Sequence, residues 1–355
     1  MRLSLLTHCV MKSNMIIYYF TWEYILFWQS STSNRQSMDY KIKTIPLSVI
    51  DMTDNTYQIS TNQHIDLLAD NITRVGLINP PILRKKGAIF SILSGFRRVV
   101  ACRKLCWNNI EARIVENDED DLSCVTVAIA DNAHQRPLNS IEISRSIHML
   151  DRFFMNIQDL TQYASTLGLP NNSSLLEKLH RLYFLPKPVQ QAILSDTISL
   201  AMALELDRFD TADSTAFTAL FEKLKLSLNK QREIVTLVRE IALRESISVK
   251  QLLTSKDMQD ILNDRDLDRT QKTQHIRTYL RQRRFPTLSQ MERTFEKYVK
   301  ELGMGEGLLL IPPQNFEGNT YRIQLHFTDI DGLRSQRIEL DRIMNDPKFK
   351  VILKR

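Results

Sequence analysis

A change in residue periodicity near position 137 constrains the fold of this chain more than any other feature. Before it, short apolar segments rich in β-branched residues alternate with segments of helical period, which indicates alternating strands and helices. After it, only the helical period is present as far as about residue 250. The sequence therefore predicts an α+β module over 38–137 and an all-α domain over 138–250.

Two further segments are predicted beyond residue 250. Residues 251–288 are polar and contain the arginine-rich run "RTQKTQHIRTYLRQRRFP", so we interpret them as a basic linker whose charges either face solvent or follow DNA phosphates. Residues 289–355 combine helical patterns with apolar strand patterns, among them "GLLLIP" and "FKVILK". We expect a small α+β domain there that is suited to self-association.

The first 37 residues do not fit a folded domain. They contain the apolar stretch "MIIYYFTWEYILFW", which is too short for a transmembrane helix and is interrupted by Glu23. No small-residue cleavage site follows it, which argues against a signal peptide. We interpret 1–37 as a mis-assigned or disordered extension, with translation starting at Met38; a membrane-associated tail is the alternative.

The composition is that of a globular protein with room for two or three domains. The 355 residues are 43% hydrophobic and 25% charged, and the net charge of +6 permits a polyanionic partner without requiring one. Among the four cysteines, Cys102 and Cys106 have no second pair at the spacing of a structural zinc site. We expect them to be core residues of one helix face in a reducing cytoplasm.

The segment "FSILSGFRRVVACRKL" predicts a site for an anion. It reads as a strand, a break at Gly95, and a helix whose first turn contains Arg97 and Arg98. A helix start already has unpaired N–H groups and positive partial charge, so two cations there are unfavourable unless an anion lies opposite. The alternative is that both arginines bind the acidic residues of "ENDEDD" at 116–121.

A second segment has the pattern of a DNA-binding motif. "DLTQYASTLGLP" and "NNSSLLEKLHRLYFLP" predict two helices joined by a turn with a glycine. The second helix has polar side chains on one face, opposite Leu175, Leu179 and Leu182, as a recognition helix does. An ordinary amphipathic helix pair is the alternative. The candidate DNA-binding residues, of which the first three are also candidate caps, are Asn172, Ser173, Ser174, Lys178 and Arg181.

Residues 42–250 resemble the ParB partition proteins, which bind centromere-like DNA and use CTP as a switch. Four segments carry the resemblance in the family's order: "GLINPPILR", "LSGFRRVVA", "IADNAHQRPLNSIE", and the helix-turn-helix that begins at "LGLPNNSS". The resemblance implies a ParB/sulfiredoxin-like N-terminal module followed by a helix-turn-helix domain. It also implies CTP and Mg²⁺ as cofactors.

The resemblance implies which residues hold the nucleotide. Asp131 stands where the family has a glutamate that helps to hold magnesium. The nucleotide-binding residues carried over from the family are Gly76, Asn79, Pro80, Gly95, Arg97, Arg98, Asn132 and Arg136.

Several departures from the family pattern affect this assignment. Phe96 replaces a glutamate, Asn79 replaces a glutamine, and Gln135 stands at the arginine position with Arg136 one residue later. With the shortened carboxylate of Asp131, these changes leave open whether CTP is hydrolysed, so the only enzyme activity implied is a weak CTPase.

The expected function is that of a partition protein. The resemblance implies a cytoplasmic homodimer on double-stranded DNA, associated with the nucleoid or a plasmid, with a ParA-type ATPase as a further partner and no membrane. The alternative is a sequence-specific transcription regulator without a nucleotide switch. A sulfiredoxin-like reductase is disfavoured because Phe96 stands where that enzyme needs a cysteine nucleophile, and a nuclease is disfavoured because no acidic and histidine cluster is evident.

Overall fold

The computed structural model describes residues 38–61, 65–116 and 119–353, so the expected N-terminal extension, 1–37, lies outside the described residues. The chain divides into two compact units between Glu177 and Lys178. This division falls inside the helix Ser173–Arg181, and not at the ends predicted for the helical domain. Among the described residues, every helix is too short or too polar to cross a lipid bilayer.

The first unit contains a mixed sheet of five strands in the order β1–β5–β3–β4–β2. Strands β3 and β4 pair antiparallel around the Lys-Lys-Gly turn, whereas β3 and β5 pair parallel. This confirms the predicted α+β character of the N-terminal module. The strands are β1 Lys41–Pro46, β2 Ile50–Asp51, β3 Ile82–Lys86, β4 Ile89–Ser94 and β5 Asn109–Val115.

Helices of the first unit begin and end at the signals that the sequence contains. The first helix ends at Gly76, which has a φ of 80°, and the third begins after Asp120, whose side chain accepts a hydrogen bond from the N–H of Ser123. The helices are α1 Asp66–Val75, α2 Phe96–Lys104, α3 Asp121–Ala133, α4 Ser140–Asp151 and α5 Ile157–Thr166. The helix α6, Ser173–Arg181, follows and contains the boundary of the two units.

One helix-face prediction was wrong. Cys102 is buried on α2 as expected, beside the buried Val99. Cys106, however, lies beyond the end of α2 with a φ of 56° and is exposed. The helix stops before it because the backbone turns at Leu105 and Cys106.

The second unit begins with helices that run without a strand as far as Leu302. They include the segment interpreted as a basic linker, 251–288, which is instead folded: its helices bury Met258, Leu262, Ile276 and Leu280. Apolar side chains recur at helical spacing in this segment, but the many arginines between them led to its interpretation as a linker. The helices are α7 Lys187–Leu194, α8 Leu200–Leu206, α9 Thr211–Leu224, α10 Leu228–Glu245, α11 Val249–Leu253, α12 Lys256–Asn263, α13 Arg269–Arg284 and α14 Pro286–Leu302.

The arginines of the basic run make ion pairs inside the second unit. Arg277 and Arg284 bind Glu233 and Glu240 of α10 at 2.8 and 2.6 Å. Arg283 binds Glu245, and Arg281 binds Glu292 of α14 at 2.7 Å. These four side chains therefore hold α13 against its neighbours, and the expectation that the run only faces solvent or DNA was wrong for them.

The C-terminal part of the second unit is the small α+β unit that the sequence predicts. Strands β6 (Leu308–Ile311) and β7 (Arg322–Leu325) pair antiparallel. Helices α15 (Ile330–Asn345) and α16 (Pro347–Leu353) complete it with α14. Residues 349–353 of the segment "FKVILK" lie in α16, so the expected C-terminal strand was wrong. The core of this part contains Leu302, Leu308, Leu310, Ile343, Phe349 and Ile352.

A buried carboxylate joins the segment before α1 to the start of α4. Glu142 is fully buried and accepts two hydrogen bonds of 2.7 Å from the guanidinium of Arg136. It also accepts the backbone N–H groups of Thr61 and Asn139 at 2.9 and 3.1 Å. Burial alone would raise the pKa of Glu142, but the hydrogen bonds from Arg136, Thr61 and Asn139 outweigh it and hold that pKa below its ordinary value.

We predict that Glu142→Gln lowers the free energy of unfolding by about 2–3 kcal/mol near neutral pH, because Arg136 loses its charged partner. Since the folded pKa of Glu142 lies below the unfolded one, its contribution is complete above the ordinary glutamate pKa and disappears as pH falls through the folded value. Denaturant unfolding across acidic and neutral pH measures both effects. The exposed Glu111→Gln on β5 is the control, and equal stability of both variants at neutral pH would contradict the prediction.

Candidate functional site

A cleft in the first unit collects several of the predicted nucleotide-binding residues. It has a volume of about 310 Å³ and lies between the loop that follows α1, the start of α2, the strand β5 and the end of α3. Such a volume is at the lower end of ligand pockets. The lining residues are Asn79, Pro80, Ile82, Arg98, Arg113, Asp131 and Gln135.

Gly95 permits the close packing on which this cleft depends. Its backbone has a φ of 94°, and a Cβ atom built there would lie 2.8 Å from the Cβ of Pro81 and 3.0 Å from the Nε of Arg98. The first helical hydrogen bond of α2 runs from the N–H of Val99 to the carbonyl of Gly95. The N–H groups of the first turn precede that bond and give the helix start its affinity for anions.

Arg98 and Asp131 meet at the centre of the cleft. The Nη2 of Arg98 lies 3.2 Å from Oδ2 of Asp131, while its Nη1 donates to the carbonyl oxygens of Asn79 and Pro80 at 2.8 and 3.3 Å. Asp131 also accepts hydrogen bonds from the hydroxyl of Ser94 and, at 3.0 Å, from the amide of Gln135. The pair therefore joins α2, α3 and the loop after α1.

The acidic stretch near residue 119 binds a different arginine. Arg84 of β3 is buried and donates to the side chain of Asp121, to the carbonyl of Glu119 at 2.7 Å and to the hydroxyl of Tyr57 at 2.9 Å. The alternative in which "ENDEDD" holds the arginines of α2 was therefore wrong for Arg98, whose carboxylate partner is Asp131.

Arg113 is a cleft residue that the sequence analysis missed. It lies on β5 opposite Ile82 of the parallel strand β3, and its backbone N–H donates to the carbonyl of Pro81 at 2.9 Å. Its side chain is exposed between the buried Ala112 and Ile114. The alternation of apolar and polar residues in "NIEARIV" could have indicated that the side chain of Arg113 is exposed. Only the pairing of β3 with β5 places this side chain in the same cleft as Arg98.

Other predicted nucleotide residues lie outside the lining of the cleft. Arg136 is engaged by Glu142, and the side-chain amide of Asn132 donates to the carbonyl of Ala128 within α3 at 2.8 Å. Arg97 is half-buried on α2, and Gly76 is the C-cap of α1 with no atom near a would-be Cβ. Phe96, where the family has a glutamate, is buried in the core.

Asp131 is the single carboxylate among the lining residues. Over the part of the chain that the structure describes, no group of three or more histidine, cysteine or acidic side chains forms a metal site. A magnesium ion in the cleft would therefore take most of its ligands from phosphate oxygens and water, with Asp131 as the protein's ligand.

Helix α6 presents most of the predicted DNA-binding residues to solvent. Asn172 is the cap, because its side chain accepts the N–H of Leu175 at 2.8 Å, and Ser173 is half-buried. Ser174, Lys178 and Arg181 are exposed. The buried face consists of Leu176, Leu179 and Leu182, whereas Leu175 is only half-buried.

Two features of α6 were not expected from the sequence. The carboxylate of Glu177 is exposed beside Lys178. Arg181 is bound to Asp207, the residue that follows α8, with its Nε 2.8 Å from Oδ2. The two residues are 26 positions apart, so no local sequence pattern predicts this ion pair.

Comparison with known proteins gives a family match for the N-terminal part of the chain. Residues 31–133 match the ParB N-terminal domain family. The nucleoid occlusion protein of Bacillus licheniformis is 32% identical over 199 residues, which are 54% of this chain and 67% of that protein. The nucleoid occlusion protein of Bacillus subtilis is 31% identical over the same length, with the same coverage.

Solved structures are similar at lower identity. The C-terminally truncated chromosome-partitioning protein ParB from Caulobacter crescentus, complexed with CTP-gamma-S, is 20% identical and covers 51% of this chain and 98% of its own, with a TM-score of 0.24. The same truncated protein complexed to the centromeric parS site is 19% identical, with coverages of 53% and 96% and a TM-score of 0.31.

We predict that Gly95→Ala destabilises the chain by about 2–4 kcal/mol, because a Cβ there combines a left-handed backbone with a clash against Pro81. The matched control is Gly87→Ala, which has a φ of 63° and no atom within 4 Å of the new Cβ. Gly87→Ala should lower the free energy of unfolding by only about 1 kcal/mol, the penalty for a side chain on a left-handed backbone. Thermal or denaturant unfolding measures both, and equal losses would show that the contact with Pro81 is loose.

Proposed function

We propose a function from the premise that this chain belongs to the ParB family of partition and nucleoid occlusion proteins. In this proposal, the protein binds a specific site on double-stranded DNA through helix α6. It acts on the DNA of the nucleoid or a plasmid in the cytoplasm. CTP, bound in the cleft of the first unit, is the proposed switch of this DNA-bound state.

The observation that carries the nucleotide proposal is the convergence of Arg98, Arg113 and the start of α2 on one cleft. Guanidinium groups and helix-start N–H groups are the donors that phosphate oxygens prefer. Arg98 and Arg113 would hold the phosphates, and Asn79 and Pro80 would contact the base and ribose side. The identity of the nucleotide as CTP comes from the resemblance of the "LSGFRRVVA" segment to its family.

The donor set of the cleft fits a triphosphate better than it fits a bare metal ion. Two arginines lie beside a single carboxylate, Asp131. A magnesium ion bound with the nucleotide would neutralise phosphate charge, and Asp131 would hold it after exchanging its contact with Arg98. The proposal is for binding; Phe96 offers no acid or base where the family has a glutamate, so hydrolysis would need another group.

The C-terminal α+β part is proposed to form a homodimer. Several apolar side chains on its surface remain exposed, among them Leu309 at 50%, Phe327 at 53% and Ile338 at 72%. Burying such side chains against a second copy is favourable, and a two-fold dimer matches a pseudo-palindromic DNA site. A ParA-type ATPase is proposed as a further partner by the family resemblance alone.

A sequence-specific transcription regulator without a nucleotide switch is the second candidate function. The contact that favours it is the one between Arg98 and Asp131, because this arginine already has a carboxylate and two carbonyl oxygens as partners. The engagement of Arg136 by Glu142 removes another cation from the phosphates in the same way.

We predict that the full chain binds CTP in preference to ATP and GTP when magnesium and duplex DNA are present. Arg98→Ala should weaken this binding by about 10- to 100-fold, because a charge-assisted contact with phosphate is lost. Isothermal titration measures both. Arg103→Ala, at the exposed end of α2, is the control.

Two results would count against the nucleotide switch. One is unchanged CTP binding by the folded Arg98→Ala variant. The other is the absence of binding to any of the three nucleotides by a chain that still binds DNA, which would favour the regulator.

We predict that Lys178→Ala lowers affinity for all DNA sequences and reduces the slope of log affinity against log salt by about one unit, as loss of a phosphate contact does. Fluorescence anisotropy at several salt concentrations measures this change. Lys250→Ala, an exposed lysine outside α6, should leave the slope unchanged. If Lys178→Ala also leaves it unchanged, α6 does not contact the DNA backbone at this residue.

A further inference from the structure

We propose that Asp207 is a positioning residue that orients Arg181 to recognise a guanine in the major groove of DNA. The proposal rests on the proposed binding of DNA by α6 and adds a specificity determinant to it. Arg181 would touch the base, and Asp207 would act only through Arg181.

The geometry of the pair supports this assignment. Both Nε and Nη2 of Arg181 donate to the same oxygen, Oδ2 of Asp207, the first at 2.8 Å. The carboxylate thus occupies one edge of the guanidinium. The arginine side chain remains 50% exposed, whereas that of Asp207 is 24% exposed.

The hydrogen bonds to Asp207 use one edge of the guanidinium of Arg181, and the half-exposed side chain can offer its opposite end to a second ligand. Nη1 and the outer N–H of Nη2 form a two-donor fork, which matches the O6 and N7 acceptors of guanine. Because Asp207 restrains the long side chain before DNA arrives, less conformational entropy is lost when the fork binds. A restrained fork discriminates between bases, which a freely moving cation does not.

The charge of Asp207 argues for a base contact rather than a phosphate contact. A carboxylate beside Arg181 repels phosphate and offsets the positive charge that would attract it. The carboxylate is also at an unfavourable place for its own helix, since Asp207 follows the C-terminal end of α8, where the helix dipole is negative. Both effects disfavour an acidic residue at position 207. What Asp207 contributes is a fixed position for the side chain of Arg181.

The chain offers a matched control pair on the same helix. Glu205 of α8 accepts a hydrogen bond of 2.9 Å from Nε of Arg232, with side chains that are 32% and 48% exposed. Arg232 lies on α10 and not on α6. Glu205→Gln therefore removes one negative charge and one ion pair from α8 without altering an arginine of α6.

The test selects DNA from a library of randomised duplexes with the full chain and its variants, and sequences what is bound. The wild-type chain should enrich a site that contains a G·C pair which Arg181→Ala no longer prefers. Asp207→Asn and Arg181→Lys should each lose about tenfold of the preference at that same pair. Glu205→Gln should retain the whole preference.

A salt titration on unselected DNA separates positioning from general electrostatics. Removing the negative charge of Asp207 should leave affinity for unselected DNA unchanged or raise it, although discrimination falls. If Asp207→Asn keeps the wild-type preference at every position, the pair only joins α6 to α8 and the proposal is overturned. If the wild-type chain enriches no sequence, the proposed site-specific function fails first, and this result is distinct from the other.

Discussion

The contact between Arg98 and Asp131 links the elements that line the candidate cleft. It joins the start of α2 to the end of α3, and the same arginine holds the carbonyl oxygens of Asn79 and Pro80 in the loop after α1. Gly95 makes this possible, because only a residue without a side chain lets Pro81 approach so closely. A phosphate that entered the cleft would compete with Asp131 for Arg98, so its binding would be coupled to a change in this contact.

Positive charge in this chain is less available than its count suggests. The arginine-rich segment looks like a phosphate-binding linker, yet Arg277, Arg281 and Arg284 bind carboxylates within the second unit. Salt bridges of this exposure contribute little stability one by one, but together with buried Ile276 and Leu280 they fix α13 in place. On α6, Lys178 is exposed and Arg181 keeps half of its side chain exposed beside Asp207, so both stay candidates for contact with DNA.

The positions at which this chain departs from the ParB pattern have local physical explanations. Phe96 is buried, so the residue that replaces a glutamate contributes to packing. Arg136 binds the buried Glu142, which in turn caps α4 and holds the segment around Thr61. Phe96 and Arg136 thus stabilise the first unit, within the segments that resemble the nucleotide-binding motifs of the family. In the proposed function, phosphate binding would therefore fall mainly on Arg98 and on Arg113, and the family motifs do not include Arg113.

The sequence by itself determined the α+β module, the helical stretch after it, the caps at Gly76 and Asn172, and the exposed side of α6. These features depend on periodicity and on interactions within one or two turns, which a linear pattern records directly. Only the tertiary structure decided which charges meet. The partners of Arg98, Arg181 and Arg284 lie 33, 26 and 44 positions away, and a basic residue has many acidic candidates at such separations. Packing of the apolar faces selects one of them, because it alone fixes which helices and strands become neighbours.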